Sequence, residues 1–481
     1  MKNIVIVSTG VRSFSMFGPF RFSVSLPLVS LSLTALLLVS SAVWAGPNIK
    51  ILDNPIRMRF SSFSTSLAML DDVTGDGIPD YLVGAYDQPY ARKGMTGKEV
   101  GFGGAEKVGE NVDHQGRAFV FDGQTAKLFY TLDHPFPQKA AAFACSVAAA
   151  GDVDRDGIPD LLIGAFGQNK GGQAYVFSGT NGAYLLTLKP PQSQPGAGFG
   201  WSVTGIGDVT GDTIPELVVG AYNQDGEGRA FVYSGQDGSL VYTLAPPTDR
   251  GGSAFGWFVN AAGDFNQDGV QEIAVGAPYT TVGKLSVQGR AYIYNGADGQ
   301  LLLTIDNPEP KEGSTFGWRV VGAGDLNKDG TPDLLVGAPY HDVGAYQGQG
   351  VAYAISGKDG SVIYTLKDPF PRKHAGFGWA LATSMDVNAD EVPEILVGAP
   401  FQAVDAFDIQ GEVFVYNGRD GRHLMTLDNP WGHQGSKFGY TVLSPGDLNQ
   451  DGIPEFAMST PGQHIMGEVN VGRVYLFESQ R

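Results

Sequence analysis

The stretch GDVDRDGIPD, residues 151–160, sets Asp152, Asp154, Asp156 and Asp160 within ten positions. Four like charges this close repel one another, and a folded chain keeps them together when something positive sits between them. Counted from Asp152, the acids occupy positions 1, 3, 5 and 9, with Gly157 at position 6, where a sharp turn is needed. A loop of this kind aims alternate side-chain oxygens at one centre, and the carbonyl at position 7 can add another. Oxygen-only, charge-rich coordination suits Ca²⁺, which takes about 6–8 oxygens. Mg²⁺ would keep more water, and zinc would want His or Cys, which the loop lacks. A lone copy reads equally well as a solvated acidic turn.

The phrase is not alone. It recurs from Asp72, Asp152, Asp208, Asp264, Asp325, Asp386 and Asp447. Seven loops follow, at 72–80, 152–160, 208–216, 264–272, 325–333, 386–394 and 447–455. Position 5 is Asp76, Asp156, Asp212, Asp268, Asp329, Asp390 and Asp451. Position 9 is Asp80, Asp160, Glu216, Glu272, Asp333, Glu394 and Glu455. Position 3 is Thr74, Asp154, Thr210, Asn266, Asn327, Asn388 and Asn449. Seven copies in phase favour a metal, with up to seven Ca²⁺ sites. The loops are unequal. Thr213 and Glu391 stand where the other five carry Gly, and a non-Gly residue in a left-handed turn costs on the order of 1 kcal/mol.

Repeats of about 60 residues need a repeat architecture to position them. Each copy has four short Val-, Tyr- and Phe-rich segments bounded by Gly, Asp and Pro, as in 199–209, 215–222, 228–235 and 239–244. Turns such as SGQDGS and NGADGQ join the last two as hairpins. Nothing shows helical periodicity. The pattern predicts an all-β fold, a seven-bladed β-propeller of four-stranded antiparallel blades. The seventh repeat ends at GRVYLFESQR without a fourth strand, whereas IKILDNP at 49–55 matches the fourth-strand ends TIDNP and TLDNP. The N-terminal strand is therefore expected to complete the last blade and close the ring.

Each repeat also has Phe nine residues before its first Asp (Phe63, Phe143, Phe199, Phe255, Phe316, Phe377, Phe438), and GA or a near match twelve after it, as in GAY at 84–86 and GAP at 276–278. This resembles the FG-GAP repeat of integrin α-chain headpieces and of many exported bacterial proteins, over residues 49–481. The resemblance implies a propeller with Ca²⁺ in the loop between the first and second strands of a blade. Integrins confine metal loops to later blades, whereas all seven repeats here carry one. The further domains and C-terminal membrane segment of an integrin α-chain have no counterpart in the sequence.

Two residues after the repeat Phe stand Thr65, Cys145, Trp201, Trp257, Trp318, Trp379 and Tyr440. They read either as packing between blades, which strand alternation favours, or as an aromatic ring about the axis. Cys145 then reads as a core thiol. The seven His residues share no repeat phase, and His114, His341 and His374 lie in loops with no nucleophile nearby. Residues 87–115 form an insertion, and with the extensions of repeats four to seven, such as 282–289, it should emerge on the face opposite the metals. A long loop on a rigid scaffold is either a recognition element or a tolerated insertion.

Residues 1–45 carry only Lys2, Arg12 and Arg21, followed by an apolar run ending with Val43 and Ala45 at −3 and −1 of a cleavage before Gly46. This reads as a signal peptide with the propeller at 46–481, the rival being an uncleaved anchor; a start at Met16 would give a conventional length. Beyond it stand 29 basic against 50 acidic side chains, which argues against nucleic acid and anionic membranes. One cysteine rules out an internal disulfide, and no later segment is apolar enough to span a membrane. The expectation is a secreted, cell-surface or periplasmic calcium-binding module of adhesion type, not an enzyme, with an extracellular protein or glycan as ligand. The alternatives are a carbohydrate-active or other extracellular enzyme on the same fold, and a structural envelope protein.

Overall fold

A computed structural model describes residues 45–88, 115–247 and 252–480. They form seven four-stranded antiparallel sheets, and in six of them the strands lie in chain order from the inner edge outward. The seventh is built from both chain ends. Ala45–Asp53 pairs with Arg473–Gln480, followed inward by Glu455–Thr460 and Val442–Gly446. The fold is the expected seven-bladed propeller. Its closure is specific, with Ile49 opposite Phe477 and Asp53 opposite Arg473, whose Nε donates to Asp53 Oδ1 at 2.5 Å. The leader expected over residues 1–45 lies outside the described residues except for Ala45. Two three-residue 3-10 turns are the only helical pieces among the described residues, so no helix there could cross a membrane.

The strand sequences follow from their place in the ring. Second and third strands, such as Glu216–Ala221 and Arg117–Phe121, are buried on nearly every residue because a blade packs on both faces. Fourth strands, such as Leu301–Asp306, lie at the rim and stay largely exposed. Each core cluster spans two blades. Leu82, Val120 and Leu132 of the first pack with Phe143, Leu161 and Tyr175 of the second, while Phe63, Tyr81 and Val83 meet Val474 and Leu476 across the closure. The repeat Phe is the wedge, fully buried in all seven blades. At Gly228 a Cβ would stand 2.0 Å from Phe255 O in the next blade, so the residue before the third strand must be Gly for blades to approach.

Candidate functional site

The acidic loops join the first and second strands of each blade and share one hydrogen-bond plan. At position 1, Asp152 Oδ1 accepts from the N–H of Asp156 at 3.1 Å and Oδ2 from that of Gly157 at 3.0 Å. At position 5, Asp156 Oδ1 accepts from Ile158 N–H at 2.9 Å. The carboxylates are thus fastened on the outer side by the loop's own backbone. Gly157 has φ +88°, and Thr213 (+73°) and Glu391 (+68°) hold the same left-handed turn despite their side chains.

Position 9 does more than the sequence indicated. In all seven loops it accepts the backbone N–H of position 2, from Val153 to Asp160 Oδ2 at 2.8 Å and from Phe265 to Glu272 Oε2 at 2.6 Å. Where it is Asp, the second oxygen also latches the hairpin glycine after the third strand: Gly123 to Asp80, Gly179 to Asp160 and Gly357 to Asp333, at 2.8, 3.0 and 3.1 Å. Where it is Glu, the extra methylene takes that oxygen off the hairpin. Glu216 Oε1 accepts from the Thr210 hydroxyl at 2.9 Å, and Glu394 Oε1 from Asn388 Nδ2. In Glu272 and Glu455 the corresponding Oε1 is buried and has no hydrogen-bond partner among the described residues.

Three loops gather three acidic oxygens within 4.8 Å of one another: Asp152, Asp154 and Asp156; Asp208, Asp212 and Glu216; Asp264, Asp268 and Glu272. The other four loops follow the same course without such a three-acid group among the described residues. The electrostatics match the geometry. Burial, then the charges of Asp264 and Asp268, push the Glu272 carboxyl up to about 7. Burial likewise raises Asp160 and Asp333 to about 6, and Glu394 and Glu455 to about 7. At Asp72, Asp208 and Asp386 burial raises the carboxyl, but the backbone N–H groups together outweigh it and hold these three below the usual range. In those three loops a firmly ionised outer carboxylate stands beside an inner one that burial pushes up. An orphaned buried oxygen and an all-oxygen donor set fit a hard divalent cation of calcium's type.

Neighbouring loops are also tied together, which the sequence reading missed. The residue at position 4 reaches the next loop: Arg155 Nη2 donates to Asp212 O (2.7 Å) and Thr213 Oγ1 (3.1 Å), and Gln267 Nε2 to Gly330 O (3.2 Å). Lys328 Nζ donates to Asp390 O at 3.2 Å and pairs with Glu391 Oε2 at 2.9 Å. The two loops that lack the turn Gly are the two that receive a cation from their neighbour.

At the opposite end of the strands, Trp201, Trp257, Trp318, Trp379 and Tyr440 form an unbroken arc around the axis. Successive centroids lie 4.8, 4.8, 4.6 and 5.3 Å apart, and every ring is partly exposed. Tyr222, Tyr279, Tyr340 and Phe401 pack beside it. Each ring packs on the ring of the next blade, so packing between blades and an aromatic arc about the axis are both present. The residue after each repeat Phe has positive φ, Gly in five blades (Gly200, +85°) and Ser64 and Ala144 in the first two, and the strand slips register between Phe199 and Ser202, so the aromatic does not share the face of Phe. Cys145 stands in the same series, partly buried, with Sγ 3.2 Å from Gly200 O and its thiol pushed up to about 11 by burial. The extensions of repeats four to seven form small hairpins on this face, closed by bridges Val282–Leu285, Val343–Tyr346, Val404–Phe407 and Ile465–Glu468. Most of the insertion, residues 89–114, lies outside the described residues; its stems Gln88 and Gly116 are hydrogen-bonded on the same face at 3.0 Å.

The structure is a seven-bladed β-propeller that carries FG-GAP repeats and is similar to integrin α chains. The FG-GAP repeat model matches residues 146–177, 255–294, 316–355 and 438–477. The chain is 31% identical over 242 residues to integrin alpha-6 of Homo sapiens, covering 47% of this chain and 20% of that protein. It is 28% identical over 310 residues to integrin alpha-5 of Xenopus laevis, covering 60% of this chain and 27% of that one. Phosphatidylinositol-glycan-specific phospholipase D of Bos taurus is 30% identical over 233 residues, or 43% of this chain and 27% of the enzyme. The chain thus spans about a fifth to a quarter of the length of these relatives.

Proposed function

We propose that this protein is an exported, calcium-loaded propeller acting as a non-catalytic binding module of adhesion type. Its ligand, an extracellular protein or glycan, is held on the face opposite the acidic loops. The observation that carries the reading is the division of labour between the two ends of the ring. One end concentrates carboxylates on short, backbone-fastened loops. The other presents a partly exposed aromatic arc rimmed by hairpins whose tips leave Tyr346, Phe407 and Ile409 in solvent. Aromatic side chains offer large contact area at low entropic cost, which suits both glycan and protein recognition. The cations would brace the ring, with Asp72, Thr74, Asp76 and Asp80 and their counterparts in the other six loops as ligands.

The test uses the mature chain, residues 46–481. Calcium should raise the melting temperature and EGTA lower it, because a ligand that binds only the native state stabilises it by mass action. Glycan-array and pull-down screening with and without calcium should give a ligand that Trp257→Ala/Trp318→Ala loses while elemental analysis shows unchanged calcium. An EGTA-insensitive melting temperature with no calcium found would overturn the metal reading. Retained binding in the tryptophan variant would move recognition off the arc. The phospholipase D relative keeps an enzyme reading in view, and hydrolysis of glycosidic or phosphodiester substrates by the purified chain would replace the binding reading.

A further inference from the structure

The inner strands of all seven blades line a cavity of about 340 Å³ on the propeller axis. Apolar side chains, including Leu67, Val147, Val203, Phe258, Leu381 and Val442, form part of its wall, and polar groups, among them Thr204, Asn260, Thr441 and Arg319, expose the larger share of its surface. Among the described residues Arg319 is the only charged one lining it. It stands three residues after the repeat Phe, where the other blades carry Ser66, Ser146, Ser202, Phe258, Ala380 and Thr441. The three serines knit blades together: the hydroxyls of Ser66 and Ser146 donate to Ala144 O and Gly200 O, both at 2.9 Å, and Ser202 Oγ accepts the Val259 N–H at 3.0 Å. Phe258 and Ala380 carry no polar group here, so the ring closes without such a bond in every blade and the fold does not call for an arginine.

Arg319 also lacks the partner a buried guanidinium usually has. The other partly buried arginines facing this question are paired, as Arg117 is with Asp133 at 2.7 Å and Arg473 with Asp53 at 2.5 Å. Among the described residues no carboxylate pairs with Arg319, and its contact is with the face of Phe258, 4.4 Å from the ring centroid. A cation–π contact stabilises the charge but uses none of the in-plane N–H donors. Burial lowers the guanidinium to about 10, so it stays charged at neutral pH. The Tyr440 phenol, at the end of the aromatic arc, lies within its electrostatic reach, and Trp318 is its chain neighbour. A solitary cation with unspent donors thus stands in one small space walled by the inner strands of all seven blades.

We propose that the axial cavity binds a small organic monocarboxylate, with the Arg319 guanidinium as its anion receptor and the apolar side chains of the wall holding its hydrocarbon body. The planar fork of Arg meets a carboxylate with two parallel N–H···O bonds. One cation matches one negative charge, and the apolar side chains of the wall give a hydrocarbon body contacts that phosphate or sulfate cannot use. The volume sits at the low end of the range of about 300–1,000 Å³ usual for small-molecule sites. This site is independent of the macromolecular ligand proposed above and of the acidic loops.

The experiment titrates the calcium-loaded mature chain with 3-phenylpropionate, 3-phenylpropanol and inorganic phosphate at fixed ionic strength. Calorimetry and tryptophan fluorescence read the binding. Saturable binding of the carboxylate is expected, at least tenfold tighter than the alcohol or phosphate. Arg319→Met should weaken the carboxylate at least tenfold and leave the alcohol unchanged, and Arg319→Lys should fall between. Without ligand Arg319→Met should melt at or above the wild-type temperature, since it removes an unpaired charge, and this shows that the variant folds. No saturable response in the wild-type chain overturns the proposal, as does equal binding of acid and alcohol, or undiminished carboxylate binding by Arg319→Met. Tighter binding of phosphate than of 3-phenylpropionate overturns the assignment of ligand class.

Discussion

Replacing Glu412 by Arg should stabilise the protein, and increasingly so as pH rises. In three blades an Arg at the start of the third strand faces an Asp at the end of the fourth: Arg117 and Asp133, Arg290 and Asp306, Arg473 and Asp53. Each pair is joined through Nε at 2.7, 2.5 and 2.5 Å. In the sixth blade the Asp is kept as Asp428, but Glu412 stands opposite it. The next position in the cluster has changed too. Asn54 and Asn429 donate through Nδ2 to Gln88 and Gln463, whereas the equivalent residue of the fifth blade is Asp368, beside Gln402. Two donors have become two acids, and all three carboxylates are buried, at 4–7% exposure. Burial, then the charge of Asp428, pushes Glu412 up to about 9, and burial raises Asp368 to about 6.

The sign follows from linkage. A carboxyl whose folded pKa lies above its ordinary value near 4.5 contributes stability that is fully present below about 4.5 and lost as pH rises towards 9. The limiting slope for one proton is about 1.4 kcal/mol per pH unit. Water reaching the cluster would reduce the integrated loss, leaving on the order of 2–4 kcal/mol by pH 8. Glu412→Arg removes this proton and supplies Asp428 and Asp368 with a counter-charge. Urea denaturation of both proteins in saturating calcium at pH 5, 6.5 and 8 isolates the effect, since the seven acidic loops are common to both. The variant's advantage should grow from near zero at pH 5 to a few kcal/mol at pH 8. A difference that is flat with pH, or a variant less stable at pH 8, refutes the account of the cluster.

Loops 208–216 and 386–394 should fill last in a calcium titration followed by crystallography at limiting metal, because Arg155 and Lys328 place positive charge beside them. Thr213→Gly relieves a turn strain of about 1 kcal/mol but gives up the contact with Arg155, so its net effect should stay within about 1 kcal/mol and turn clearly favourable in an Arg155→Ala background. Early filling of 208–216 counts against the first statement, and a loss above about 2 kcal/mol against the second. Deleting residues 46–55 should produce aggregates or swapped oligomers by light scattering, because it exposes the edge of Arg473–Gln480 and the apolar face behind it. A soluble, cooperative monomer from that deletion would break the closure argument.

The sequence carried the fold where the repeat carried information seven times over. The spacing from Phe199 to Asp208 to Gly220 located the strands and the metal loop together, and the match of IKILDNP to TIDNP located the closure from one strand's absence. It failed where geometry depends on a single backbone angle or on which blades adjoin. Alternation placed Trp201 on the face of Phe199, but Gly200 at φ +85° breaks the alternation and sends the tryptophans to the axis. That signal was present as a Gly in five of the seven copies, with Ser64 and Ala144 in its place in the first two, and it is legible once positive φ is granted. The partnership of Arg155 with Thr213 was not legible, because positions 4 and 6 belong to successive repeats and their meeting needs the ring. The acids at position 9 were read only as ligands because charge patterning shows where oxygens converge, not which oxygen the backbone has already taken. Arg319 and Glu412 show the converse. Each departs from the commonest residue of its column, and a departure means something only after the structure shows what that residue does. At the Arg319 position the serines of three blades tie inner strands; at the Glu412 position four blades supply an arginine, and the glutamate carries the opposite charge. In a repeat fold the common residues explain the scaffold, and those that break the column mark where this chain has something of its own to hold.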